Sequence, residues 1–315
     1  MDGAVAEGDD APADDDVIRA SSVTRALNLI GDVWTVLLLK EAFLGSHRFQ
    51  EFQERLGIPR QTLMLRLADL TTQQILYKKP AQHRTLVFEY HLTPKGLDLY
   101  PFILAVWCWH RKWNPEQSFL PAQLRHRPCG HALDPRLSCR ACGDTVTLDD
   151  ITVEDGGAFD PRPPARLSRQ NDAALQKAVA ESDPLPVATS LIGDRWSNLV
   201  LFAIYLGVRN FFALQKELKI SSNILSSRLK KLTTLGLIDL DAASGKRKLE
   251  YRLTDQGRDV YPMIQTLITW GDRWLAGPDG PPQLVRHKDC GALLDARYVC
   301  SACGGVVRAW DVAAG

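Results

Sequence analysis

The chain is written twice. Leu29-Ile30-Gly31-Asp32-Val33-Trp34-Thr35 returns as Leu191-Ile192-Gly193-Asp194-Arg195-Trp196-Ser197, an offset of 162. At that offset Phe49, Leu56, Ile58, Leu63, Arg66, Leu67 and Leu70 match Phe211, Leu218, Ile220, Leu225, Arg228, Leu229 and Leu232. From Tyr90-His91-Leu92-Thr93 and Tyr251-Arg252-Leu253-Thr254 onward the offset is 161, so one residue was gained or lost between about 77 and 90. Gly96, Tyr100-Pro101, Trp109, Trp113, His126, Cys129, Cys139 and Cys142 then match Gly257, Tyr261-Pro262, Trp270, Trp274, His287, Cys290, Cys300 and Cys303. A chain of 315 residues repeating at this period is two copies of one folding unit.

Within a unit the hydrophobic period alternates between helix and strand. Val23 to Ile30 carries an apolar stripe at helical spacing, Gly31 breaks it, and Asp32 is placed to cap a helix from Val33 to Ala42. Phe49 to Leu56 reads as a short helix and Gly57-Ile58-Pro59 as a tight turn. A longer helix from about Arg60 to Gln73 then buries Leu63, Leu67 and Leu70. Short helix, glycine turn, longer amphipathic helix is the helix-turn-helix order. Ile75 to Lys79 and Leu86 to Leu92, and in the second copy Gly236 to Asp241 and Leu249 to Leu253, supply the two strands of a wing. Thr93-Pro94 and Thr254 cap one last helix in each copy.

The fold class expected is mainly α with small β wings: two winged helix-turn-helix domains in tandem, each followed by a small zinc-knuckle element. The expected division is an acidic tail over 1–16, winged helices over 17–120 and 183–278, and metal elements over 121–150 and 279–315. A linker spans 151–182. Gly156-Gly157, Pro161 and Pro163-Pro164 give that linker its composition, and Asn171 to Glu181 has helical spacing.

Net charge is +1, but residues 1–16 hold seven acids and no base, leaving +8 on the rest. The bases gather where a winged helix meets DNA. The expected DNA contacts are Arg60, Gln61, Thr62, Arg66, Lys78, Lys79 and Arg84 in the first copy. In the second they are Ser221, Ser222, Asn223, Ser226, Arg228, Lys230, Lys246, Arg247 and Lys248. Lysine and arginine neutralise phosphates, while polar side chains on the exposed helix face read base edges. The first copy has Thr62, Met64 and Leu65 where the second has Ile224, Ser226 and Ser227, so the two are expected to bind DNA unequally.

These motifs together resemble the HxlR family of winged-helix regulators. The carriers are the Leu-Ile-Gly run into a tryptophan helix, the phenylalanine entry, the recognition helix and the Tyr-x-Leu-Thr-x-x-Gly exit, over roughly residues 22–113 and 184–275. The resemblance implies a MarR-like fold, binding of double-stranded DNA as a two-fold unit, and transcriptional control, often repression. It implies dimerisation through terminal helices, so two domains in one chain look like a covalent pseudo-dimer; a homodimer of the tandem chain is the alternative. Several family members sense oxidants through a cysteine before the first helix. Here Ser21-Ser22 and Asp183-Pro184 stand in that region.

Six of the seven cysteines fall into two sets: His126, Cys129, Cys139 and Cys142, then His287, Cys290, Cys300 and Cys303. Ligands two residues apart with glycine following suit a knuckle turn, and three thiolates with one imidazole make a closed tetrahedral zinc site. One structural zinc is expected within each copy. Disulfides are disfavoured in a reducing compartment, iron–sulfur ligation is a secondary option, and thiolate oxidation could release the metal. Cys108 is expected to pack in the last helix of the first domain. The pairs Trp109/Trp113 and Trp270/Trp274 are expected to pack in the core or between domains.

No repeated acid–base pair, nucleophile or phosphate loop appears, so an enzyme is not expected. Nor is a membrane partner or an export signal, and a cytoplasmic regulator is the reading. The rival is an architectural or protein-binding winged-helix module. A small-molecule effector could sit in an apolar pocket between domains, at a place the sequence does not give.

Overall fold

The computed structural model describes residues 21–81, 84–116, 121–156, 194–241, 249–278 and 280–314. The acidic tail, most of the linker with its expected helix over 171–181, and the second wing's tip lie outside them.

In the first copy α1 (Ser22–Ile30) leads into α2 (Val33–Phe43). The Asp32 carboxylate caps α2, accepting from the Thr35 backbone N–H at 3.1 Å. Helix α3 (Phe49–Leu56) starts with Glu51 reaching back to the His47 and Arg48 N–H groups and ends on Gly57, left-handed at φ 60°. Helix α4 (Arg60–Thr72) buries Leu63, Leu67 and Leu70, as its spacing requires. Strands β1 (Leu76–Ala81) and β2 (Arg84–Leu92) pair antiparallel as the wing, Leu76 opposite Leu92.

The expected last helix is two. Thr93 caps a single turn, α5 (Pro94–Leu97), and the chain restarts as α6 (Tyr100–Trp113). Pro101 has no N–H to give the preceding turn, so the helix breaks there. The second copy repeats the order: α7 (Arg195–Tyr205), α8 (Phe211–Leu218), α9 (Ser222–Thr234), β6 (Ile238–Asp241), β7 (Glu250–Leu253), α10 (Asp255–Arg258) and α11 (Tyr261–Leu275). One hydrophobic core runs through both copies, from Val23, Trp34 and Phe52 to Leu225, Ile264 and Trp270.

The copies meet through their tryptophans. Trp109 donates to the Gln256 carbonyl at 3.0 Å, and its counterpart Trp270 donates to the Lys95 carbonyl at 2.9 Å. Trp113 reaches the Asp259 carboxylate at 2.8 Å, and Trp274 reaches Asp98 at 2.9 Å. Lys112–Asp259 and Arg273–Asp98 repeat the pattern with ion pairs. Every one of these bonds joins one copy to the other at equivalent positions, which is the arrangement of a two-fold interface. Helix α11 also packs against α1 so closely that a Cβ on Gly271 would stand 2.6 Å from the Ser22 carbonyl oxygen.

The cysteine elements interlock as well. The first contributes β3 (Leu124–His126), β4 (Pro135–Cys139) and β5 (Ile151–Asp155); the second contributes β8 (Gln283–His287), β9 (Ala296–Cys300) and β10 (Val312–Ala314). Among the described residues no strand of one element pairs with a strand of its own. Strand β3 pairs with β10, β5 with β8, and β4 with β9. Leu137 lies opposite Tyr298, its own counterpart at offset 161, so the pseudo-two-fold passes through that pair. Strand β5 falls in the stretch expected to be linker; it is alternating sequence that orders by pairing with the other copy.

Candidate nucleic-acid interface and metal centres

The knuckles are built alike. In each, a backbone N–H four residues on closes the turn: Gly130 to His126, Gly143 to Cys139, Gly291 to His287 and Gly304 to Cys300, at 2.7–2.8 Å. All four glycines have φ between 68° and 86°, the left-handed region where a side chain is strained.

These knuckles do not pair within a copy. His126 and Cys129 come together with Cys300 and Cys303, while Cys139 and Cys142 come together with His287 and Cys290. The eight residues expected as ligands are the eight assembled, but each group of four takes half from either copy. This corrects the expectation of one site per element. The cause is the strand pairing: elements with strands of three to five residues are too small to bury a core, and they fold against each other instead.

Within each group the four ligand atoms lie within 4.8 Å of one another. His126 Nδ1 stands 3.3 Å from Cys129 Sγ and 3.4 Å from Cys303 Sγ, and Cys129 Sγ stands 3.9 Å from Cys300 Sγ. In the second group His287 Nδ1 lies 3.4 Å from Cys290 and 3.3 Å from Cys142, and Cys139 lies 3.9 Å from Cys290. A tetrahedron with metal–sulfur bonds of about 2.3 Å has edges of about 3.8 Å, so the donor sets fit one tetrahedral metal each. The backbone N–H of His131 and the His126 side chain draw the Cys129 thiol down to about 6, while burial and the neighbouring Cys129 and Cys300 push the Cys303 thiol up. His131 itself is exposed and is not in the group.

On the recognition helices, Arg60 and Gln61 are exposed on α4, with Thr62 half-buried beside them. Met64 and Leu65 share that outer face at 58% and 55% exposure. On α9 the exposed face is Ser222, Asn223, Ile224, Ser226, Ser227 and Lys230, and Ser221 caps the helix by accepting from the Ile224 N–H. Lys78 and Lys79 are exposed on the first wing, Lys78 lying over the Phe88 ring at 3.8 Å. The side chain of Arg84, and Lys246, Arg247 and Lys248, lie outside the described residues.

Arg66 and Arg228 have another engagement. Arg66 pairs with Asp32 at 3.2 Å and Arg228 with Asp194 at 3.0 Å, each arginine side chain less than one-sixth exposed. The aspartate that caps the tryptophan helix thereby also anchors the recognition helix. The signal was in the repeat, since Asp32 and Asp194 recur with their arginines at the same offset. In the second copy Lys231 joins the same carboxylate at 3.0 Å.

The sequence pattern of HxlR-like helix-turn-helix proteins matches residues 29–118 and again 191–278, together more than half of the chain. The chain belongs to the HxlR-like helix-turn-helix family.

Among relatives, Rv3095 of Mycobacterium tuberculosis, named an HTH-type transcriptional regulator, is 41% identical over 141 residues. That is 45% of this chain and 89% of the relative. YdzF of Bacillus subtilis, named likewise, is 34% identical over 91 residues, 28% of this chain and 84% of its own length. The solved structure of PA1374 from Pseudomonas aeruginosa is 30% identical, covering 46% of this chain and 99% of itself, with a TM-score of 0.33. This HxlR-like chain is thus about twice as long as Rv3095, which matches 45% of it. Among its described residues no single helix is long and apolar enough to cross a membrane. Cys108 is half-buried in α6, packed against the core, and desolvation pushes its thiol up to about 12.

Proposed function

We propose that this HxlR-like chain is a sequence-specific regulator of transcription, a repressor, that grips double-stranded DNA with two winged helices as a covalent pseudo-dimer. The observation that carries it is the set of equivalent bonds between copies, from the tryptophan pairs to the Leu137–Tyr298 strand crossing. A family of single-domain regulators would form such an interface between two chains, and here one chain supplies both sides. Recognition helices related by a two-fold suit two half-sites about one DNA turn apart, or a multiple of that.

Two zinc ions, one per shared group, complete the reading. Three thiolates and an imidazole leave no open position, so zinc here is structural. Because each ion takes ligands from both copies, it fixes one winged helix relative to the other. Phosphate contacts fall to Arg60, Lys78, Lys79, Lys230 and the second wing tip, and base reading to Gln61, Thr62, Ser222, Asn223 and Ser226.

Fluorescence anisotropy at physiological salt, comparing the gene's own upstream duplex with a scrambled one of equal length, tests the function. Binding tighter to the native duplex by about 10³-fold or more is the expected result. Equal and steeply salt-dependent binding to every duplex tried, including a pool enriched for binding from random sequence, would favour an architectural module instead.

A further inference from the structure

The pseudo-symmetry creates two equivalent cavities, and their linings differ. In the first copy a cavity of about 70 Å³ lies between α2, α6 and β10 and is walled by Lys40, Phe43, Tyr100, Leu104, Trp107 and Val312. Its counterpart in the second copy lies between α7, α11 and β5, holds about 30 Å³, and is walled by Phe202, Tyr205, Tyr261, Gln265, Ile268 and Gln283. Gln265 stands where the first cavity has Leu104, and Gln283 where the first copy has Ala122.

The two glutamines differ in what they touch. Gln265 is satisfied: its Oε1 accepts from the Tyr261 hydroxyl at 2.8 Å and its Nε2 donates to Thr269 at 3.3 Å. Gln283 is 5% exposed, and its Nε2 is buried with no hydrogen-bond partner. A buried amide donor left unpaired costs about 1–3 kcal/mol, which an incoming acceptor would recover.

The second cavity adjoins an open cleft of about 510 Å³, with Leu148, Ile151, Val153, Tyr205, Leu206 and Gln283 common to both. Cleft and cavity together have the volume of a small-molecule site. Charges along the cleft are paired among themselves: Arg258 with Asp149, and Arg286 with Glu154 at 2.8 Å. Arg209 lies exposed at the rim. A guest entering here passes a polar rim that includes Asp149, Asp155 and Arg209, and reaches a mainly apolar inner wall in which the Gln283 amide is buried.

We propose that this cleft is a ligand site for a small neutral molecule with an apolar, flat body and one carbonyl-type acceptor. The acceptor enters the inner cavity against Gln283 Nε2 and the body lies on Tyr205, Leu206 and Ile151. The wall on one side belongs to the second winged helix, on the other to strands from both cysteine elements, so a guest here touches both parts.

Isothermal titration of the metal-loaded full chain with acetophenone, against ethylbenzene as the matched molecule without an acceptor, tests the site. Acetophenone is expected to bind with a Kd below about 1 mM and at least about tenfold more tightly than ethylbenzene. Gln283→Leu, checked for unchanged metal content and melting temperature, should bring the two compounds within about twofold of each other. Should that variant fail to fold, Gln283→Met, which removes the donor and keeps the side chain's length, should weaken acetophenone alone. No detectable acetophenone binding, equal binding of the two compounds, or a preference untouched by either variant would overturn the proposal. The readout is binding without DNA, so its failure leaves the proposed function standing, and the reverse.

Discussion

The two winged helices share a skeleton and differ in what they show to the outside. Both tie the recognition helix to the tryptophan helix through an aspartate–arginine pair, Asp32–Arg66 and Asp194–Arg228. Both send a tryptophan N–H to the other copy's carbonyl. On the outer face, however, α4 presents Met64 and Leu65 where α9 presents Ser226 and Ser227. The parts that hold the copies together have been kept alike, and the parts that would meet DNA have drifted. Such a division is expected of a duplicated binder in which only the frame must stay symmetric while each half adapts to its own half-site.

The largest expected effect falls on the shared frame. Asp194 caps α7 and holds both Arg228 and Lys231, while Asp32 caps α2 and holds Arg66 alone. Asp194→Ala should cost about 3 kcal/mol in urea unfolding, because it strands two inward-turned cations. Asp32→Ala should cost about half that. Equal losses would mean Lys231 adds nothing and that the anchors are as alike as the skeleton.

Next comes a place where the copies depart from symmetry. Asp272 on α11 lies against α1, where the first copy has Arg111. Burial raises its carboxyl to about 6, with Ser22 and Arg25 beside it acting the other way. A raised acid favours the fold below the unfolded value near 4, and that contribution is lost as pH rises through 6. Asp272→Asn should therefore stabilise the protein by about 2 kcal/mol at pH 8 and by little at pH 4, read as melting temperature against pH. A gain independent of pH would point to packing rather than charge.

On DNA, Asn223→Ala should lower affinity for the cognate duplex by about tenfold or more, since an asparagine pair to a base carries about 1–3 kcal/mol. Met64→Ala should change it by less than about threefold. The reverse order would make the apolar face the better reader. Smallest is the turn before the recognition helix, where Gly57 at φ 60° is replaced by Lys219 at φ 46°. Lys219→Gly should stabilise by about 0.5–1 kcal/mol, because a side chain is strained in that conformation. A loss of stability would show that Lys219 makes contacts worth more than the strain.

Much of this was legible in the repeat. Asp32 at its cap, Thr93 ahead of Pro94, Gly57 in its turn and the leucine triplet of α4 are local choices, set by neighbours three or four residues away. The eight residues of the two Cys/His groups were legible for the same reason, since a knuckle is a local turn. Their partnership was not: His126 has equal chemistry with Cys139 or Cys300, and only the pairing of β4 with β9 decides between them. The engagement of Arg66 and Arg228, both expected to contact DNA, with Asp32 and Asp194 was not legible, because helical spacing gives a side chain's direction but not its partner. Gln283 was invisible for a related reason, as its orphaned amide exists only where both copies meet.

The central claim is that the metal sites are shared between the copies, and counting bound metal tests it directly. Zinc retained after dialysis against EDTA is measured by mass spectrometry on the full chain and two triple variants. The wild type should hold two ions. Cys129→Ser with Cys300→Ser and Cys303→Ser empties one shared group and leaves the other whole, so it should keep one. Cys129→Ser with Cys139→Ser and Cys142→Ser leaves no four-ligand group and should keep none. One ion kept by the second variant and none by the first would place each metal within a single copy and contradict the account.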